Sequence, residues 1–152
     1  KQELFVAVVE AIGEDLLSKA LTELFQPNDR DLRELLRSFG EAMVMLVSKP
    51  LAIDVYRMVI GESGRSEIGQ LFFEIGPRCA LNKVRDVLID ALERGLLRPC
   101  DPEIAAQHFI SLIKSEGDED MFQCKPRLPT KALTRGRVDR ALDVFMRGYA
   151  AS

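Results

Sequence analysis

The chain has 152 residues, 47% of them hydrophobic and 30% charged, with 21 basic against 24 acidic side chains and a net charge of −3. That balance excludes a disordered segment, and the length suits one domain, residues 1–152, with a sizeable core. Basic and acidic residues are interleaved throughout, which argues against this part of the polypeptide as a surface that grips nucleic-acid phosphates.

The pattern is helical from the start. Leu4, Val8, Ile12, Leu16, Ala20 and Leu24 recur every four residues, flanked by Phe5, Val9, Leu17, Leu21 and Phe25. Pro27 and Asn28 stop this first helix. A second begins at Asn28 or Asp29, either a good N-cap, and its apolar face is Leu32, Leu35, Leu36, Phe39, Met43, Leu46 and Val47, with Pro50 as its end. The third, residues 51–62, places Leu51, Val55, Met58 and Val59 on one side and breaks at Gly61, Ser63 and Gly64. The fourth, 66–94, contains Gly76-Pro77, where the missing backbone donor predicts a kink or a split, and Gly95 fits its C-terminal cap.

Asp101-Pro102-Glu103 combines a cap, an N1 proline and a carboxylate at the positive end of the dipole. It opens a fifth helix carrying Ala105, His108, Phe109, Leu112 and Ile113 and ending near Ser115. Residues 116–133 are polar and hold Gly117, Pro126 and Pro129, and are expected to form a long loop or mobile segment. The last helix is expected from about Thr134, with Val138, Ala141, Leu142, Phe145 and Tyr149 inward. With no strand-like alternation and no internal repeat, the fold class is all-α, a bundle of about six helices.

Catalytic templates fail one by one. Gly61-Glu62-Ser63-Gly64-Arg65 nearly matches a nucleophile elbow, but Arg65 stands where glycine is required and no strand precedes it. Gly64 and Gly69 have phosphate-loop spacing, yet Gln70-Leu71 follow where Lys and Ser or Thr are needed. His108 is the only histidine, and Cys79, Cys100 and Cys124 are scattered, so no metal site and no disulfide framework is expected. Asp118, Glu119 and Asp120 lack the glycine and glutamate of a calcium loop and read as a solvated charge run. The chain is expected to be no enzyme, to need no cofactor, and to lie in a reducing cytoplasm. No apolar run reaches the ~20 residues that span a bilayer, so no membrane partner is expected. Lys1-Gln2-Glu3 leads straight into the first apolar repeat with no cap before it, and further chain is expected upstream.

Large, adaptable side chains are spread over four helices. Phe39, Met43, Tyr56, Phe72, Phe73 and Phe109, with His108 as a polar group, form the candidate ligand site. Met58 belongs to the same residue type, and Gln107 is a further polar candidate. Burial in the core alone is the commoner role of each apolar member.

Tyr56-Arg57-Met58-Val59-Ile60-Gly61-Glu62-Ser63, Leu71-Phe72-Phe73-Glu74-Ile75-Gly76-Pro77, Arg94-Gly95-Leu96-Leu97-Arg98, the stretch from Asp101 to Phe109, and Phe145-Met146-Arg147-Gly148-Tyr149-Ala150 follow one another in an order that resembles the regulatory domain of TetR/AcrR-family transcription regulators. Lys1-Gln2-Glu3-Leu4-Phe5 resembles the point where that family's DNA-binding head joins the body. The stretch Arg65-Ser66-Glu67 departs from the family's usual Phe-Pro before the long helix, and the helix-turn-helix head is absent.

The resemblance implies a homodimer in which the last two long helices pair with their copies in a four-helix interface. Leu112, Ile113, Leu142, Phe145, Met146 and Tyr149 are the candidate contact residues, with burial inside one chain as the alternative. It implies a small apolar or amphipathic effector, and operator DNA as a partner only through an N-terminal domain outside this chain. It also implies a repressor, released from DNA when the effector shifts the helices. Arg57 and Glu62 are expected to form a structural polar pair. The alternative function is a stand-alone helical dimerisation or protein-interaction module without ligand; a helical enzyme is the third class.

Overall fold

Apolar side chains repeating at three and four residues give an all-helical bundle in the computed structural model, which describes Glu3, Val6, Ala7, Leu21, Thr22 and residues 31–152; six α-helices have both ends among these described residues. The first expected helix, and the expected caps Asn28 and Asp29, fall almost wholly outside those residues. The helices are α1 (Leu32–Val47), α2 (Pro50–Glu62), α3 (Ile68–Ile75), α4 (Pro77–Glu93), α5 (Pro102–Ser115) and α6 (Lys131–Tyr149). A short 3-10 helix, Asp118–Phe122, lies between the last two. Among the described residues there is no strand, only one antiparallel bridge from Leu97 to Ala150.

The core is built by four of these helices. Leu36, Phe39, Val84, Leu88, Phe109, Ile113, Val138, Leu142 and Phe145 are all essentially inaccessible. On α6 the buried set Thr134, Val138, Ala141, Leu142 and Phe145 is a stripe spaced by three and four. Each buried Phe or Leu contributes about 1.5–3 kcal/mol over an exposed one. At the α1–α6 contact, a Cβ on Gly40 would meet Val138 Cγ1 at 2.8 Å, so a glycine is what lets these helices approach so closely. Arg33 pairs with Asp143 and Arg37 with Asp139 along the flank of that contact.

Helix ends follow local chemistry. Asp101 Oδ1 accepts from the amides of Glu103 (2.9 Å) and Ile104 (3.4 Å), with Pro102 at N1, as its sequence requires. Gly95 adopts φ +70°, and Leu96 N donates to Ala91 O while Gly95 N donates to Leu92 O, a Schellman ending for α4. The expected split at Gly76-Pro77 separates α3 from α4.

Four expectations need correction. The cap of α1 is Asp31. Pro50, expected only as a stop, is also the first residue of α2, where its missing N–H costs nothing. On α2 the buried residues are Ile53 and Val59, whereas Leu51 and Met58 are 57% and 46% exposed, because the helix packs through only one narrow edge. The last helix begins at Lys131 behind Thr130, whose hydroxyl accepts from Leu133 N (3.2 Å). Thr134 lies inside that helix, buried, and donates to Met45 Sδ at 3.3 Å.

The helices differ in how firmly they are held. The hairpin of α2 and α3 has its own small cluster, Val59 with Val55, Ile68, Phe72 and Ile75, apart from the main core. No residue of α3 is fully buried.

Candidate functional site

A cavity of about 610 Å³ separates this α2–α3 hairpin from the main core. Its volume falls in the range of small-molecule sites. Ile53 and Tyr56 of α2 and Phe72 and Phe73 of α3 line it from the hairpin, and Val44 and Val47 of α1, Leu81 of α4 and Ile110 of α5 line it from the core. The Tyr56 and Phe72 rings meet edge to face at 6.2 Å. Arg78 lies over the Phe73 ring, 4.9 Å from its centre, and is held there by Glu74 (3.5 Å) and Glu103 (4.0 Å). Polar groups gather at the other end: Lys114, Asp118, Asp120 and Arg137.

The sequence-derived set divides. Met43, Tyr56, Phe72 and Phe73 line the cavity, as does Gln107. Phe39 and Phe109 do not line it; they are fully buried in the main core, 6.2 Å apart. His108 also lies off the cavity wall: its Nδ1 is 2.5 Å from the Tyr149 hydroxyl, a contact joining α5 to α6. Burial pushes the Tyr149 phenol above its ordinary pKa. Of the expected dimer contacts, Ile113, Leu142 and Phe145 are buried inside the single chain, so their side chains offer no surface to a second copy. Leu112, Met146 and Tyr149 are only partly covered.

The segment after α5 is an ordered strap across the end of the cavity. Arg57 does not pair with Glu62. Its guanidinium donates to the carbonyls of Asp120 (3.3 Å), Met121 (2.8 Å) and Gln123 (2.5 Å), fastening the 3-10 helix to α2. Arg140 forms a two-pronged pair with Glu116, at 2.7 and 2.6 Å, and Arg137 faces Asp120 at 3.8 Å. The acidic run is therefore partly structural, with Asp118 and Asp120 on the cavity wall. The Arg140 hydrogen bonds hold the Glu116 carboxyl below its ordinary range. This pairing therefore stabilises the strap at neutral pH, and its contribution is lost as pH falls through the lowered folded-state pKa.

None of these arginine contacts was legible as such, since each joins residues distant in sequence. For Arg137 one signal existed: it lies one turn from the inward-facing Thr134 and Ala141. Arg57→Ala is expected to speed amide exchange at Asp120 and Gln123, whose N–H groups close the 3-10 turn, by about 5- to 30-fold, with little change in global stability. Unchanged exchange would show that the strap is held without Arg57.

No cluster of three or more metal-ligating side chains occurs among the described residues. Among them, too, no helix is long and apolar enough to cross a membrane.

This all-helical arrangement is that of TetR-type regulators. It matches a TetR-family transcriptional regulator from Mesorhizobium loti (17% identity, TM-score 0.79, covering 99% of this chain and 73% of the other). It also matches the flavonoid-responsive regulator FrrA (24% identity, TM-score 0.78, 98% and 74%) and a TetR-family regulator from Pseudomonas syringae pv. tomato (24% identity, TM-score 0.66, 91% and 74%). No curated protein matches the chain. The profile of the AefR-like transcriptional repressor C-terminal domain matches residues 34–151, and the chain belongs to that family of TetR-type transcriptional regulators.

Proposed function

We propose that this chain is the effector-binding and dimerisation domain of a cytoplasmic TetR-like repressor, without catalytic activity of its own. The observation that carries the reading is the cavity of about 610 Å³, walled by Met43, Tyr56, Phe72 and Phe73. A small, largely apolar molecule enters between a well-packed wall, formed by α1, α4 and α5, and the loosely held α2–α3 hairpin. The flavonoid response named for FrrA supports a small organic effector in this kind of body.

A ligand that fits one placement of the hairpin better than another shifts the population toward that placement. Helix movement then reaches a DNA-binding head N-terminal to this body, and alters the spacing of two heads that must meet half-sites roughly 34 Å apart. Two copies associate through α5 and α6. The partly covered Leu112, Met146 and Tyr149 contribute, together with outward-facing Leu133 and Val144, which are 45% and 58% exposed. Ile113, Leu142 and Phe145 stiffen these helices from beneath.

In the polypeptide carrying its head, a molecule that occupies the cavity is expected to weaken operator binding by about 5- to 150-fold. An operator affinity indifferent to every cavity ligand would overturn the regulatory reading. Val144→Arg is expected to shift the dimer toward monomer in sedimentation velocity, because it places a charge in the contact. A wild-type chain that sediments as a monomer would refute the dimer.

A further inference from the structure

We infer that the molecule taken up by this cavity is an amphipathic anion: an apolar body bearing one acidic group, which docks on Arg137 at the strapped end. The inference rests on the proposal that the cavity holds a small molecule, and adds the chemical class.

Arg137 projects from α6 with its side chain only 14% exposed. Its Nη1 is buried and has no hydrogen-bond partner among the described residues. The carboxylate it faces, Asp120 Oδ2, stands at 3.8 Å, beyond hydrogen-bond reach. A guanidinium N–H removed from water with no acceptor is costly, and an acidic oxygen placed there recovers that cost with a charge-assisted bond.

Arg137 and Gly117 both line the cavity. Gly117 has no side chain; a Cβ there would stand 3.4 Å from Arg137 Nη1 and so would crowd the approach. Lys114 lines the same cavity and adds a second positive charge. Arg78, the other cation of the lining, is occupied by two carboxylates and the Phe73 ring, so it is not the anchor. Asp118 and Asp120 share this end and would attract an amine. These two carboxylates balance Arg137 and Lys114 in charge, so the unsatisfied Arg137 donor decides, and an acid satisfies it where an amine cannot. Beyond the polar end the walls are Val47, Ile53, Phe72 and Ile110, which select an apolar body. Acid at one end and hydrocarbon at the other is the pattern of an aromatic or aliphatic acid.

Two fluorescent probes test this on the full chain: anilinonaphthalene sulfonate, and N-phenylnaphthylamine, which has the same rings without the acid. The sulfonate is expected to bind about tenfold more tightly. Arg137→Met should abolish that preference and leave the affinity of the neutral probe in place, while Arg137→Lys should retain part of it. If Arg137→Met does not fold, Lys114→Met serves in its place and should reduce the preference severalfold. Equal binding of the two probes, or tighter binding of the neutral one, overturns the anionic class and leaves the cavity reading standing. The anionic class is equally overturned if the preference survives both Arg137→Met and Lys114→Met. Failure of both probes to bind overturns the cavity reading itself.

Discussion

Phe109→Ala is expected to destabilise the domain by about 3–5 kcal/mol, a large share of the ~5–15 kcal/mol that holds such a domain folded. Phe109 lies at the junction of α1, α5 and α6. Its ring is 6.2 Å from Phe39 and 5.4 Å from Phe145, which in turn stacks on Tyr149 at 4.7 Å. Truncation removes the transfer free energy of a fully buried ring and leaves a hole that three helices, held close by the Gly40–Val138 contact, cannot collapse to fill. Urea titration should show a lower midpoint with an unchanged slope. A loss under about 1 kcal/mol would mean that these rings do not form the centre of the core.

The same residue shows what sequence reasoning could reach. Phe39 and Met43 are four apart on one face of α1, and sequence alone gives no ground to place one wholly inside the core and the other where the core meets the cavity. The structure separates them because α1 runs from the packed core into the cavity wall, so its stripe changes surroundings along its length. Phe109 and Ile110 likewise divide between core and cavity. Backbone chemistry was more legible, since a cap is a local event: Asp101-Pro102, Gly95 and Gly76-Pro77 all act where they stand. Thr130 and Thr134 were harder, both being caps by type. Only the spacing of Thr134 to Val138 and Ala141 marks it as an inward residue. The order of segment 116–123 was not legible at all, because it depends on Arg57 and Arg140 reaching it from other helices.

Ala52→Trp is expected to weaken binding of N-phenylnaphthylamine by at least about 100-fold, or roughly 2.7 kcal/mol. Ala52 lines the cavity from α2, and an indole in its place takes up the space a ligand needs. The walls beside it are apolar and the α2–α3 hairpin is only lightly packed, so the stability of the domain should change by less than about 1.5 kcal/mol. Fluorescence titration beside a thermal melt separates the two effects. Retained affinity in a folded Ala52→Trp protein would place the probe elsewhere.

The most direct measurement is a methyl NMR titration of the chain with N-phenylnaphthylamine. The shifts are expected to concentrate on Ile53, Val55, Ile75, Leu81 and Ile110, all on the cavity wall, with the deep core at Leu88 and Leu142 scarcely moved. Shifts centred instead on exposed Leu128, Leu133 or Val144, or none at saturating probe, would contradict it.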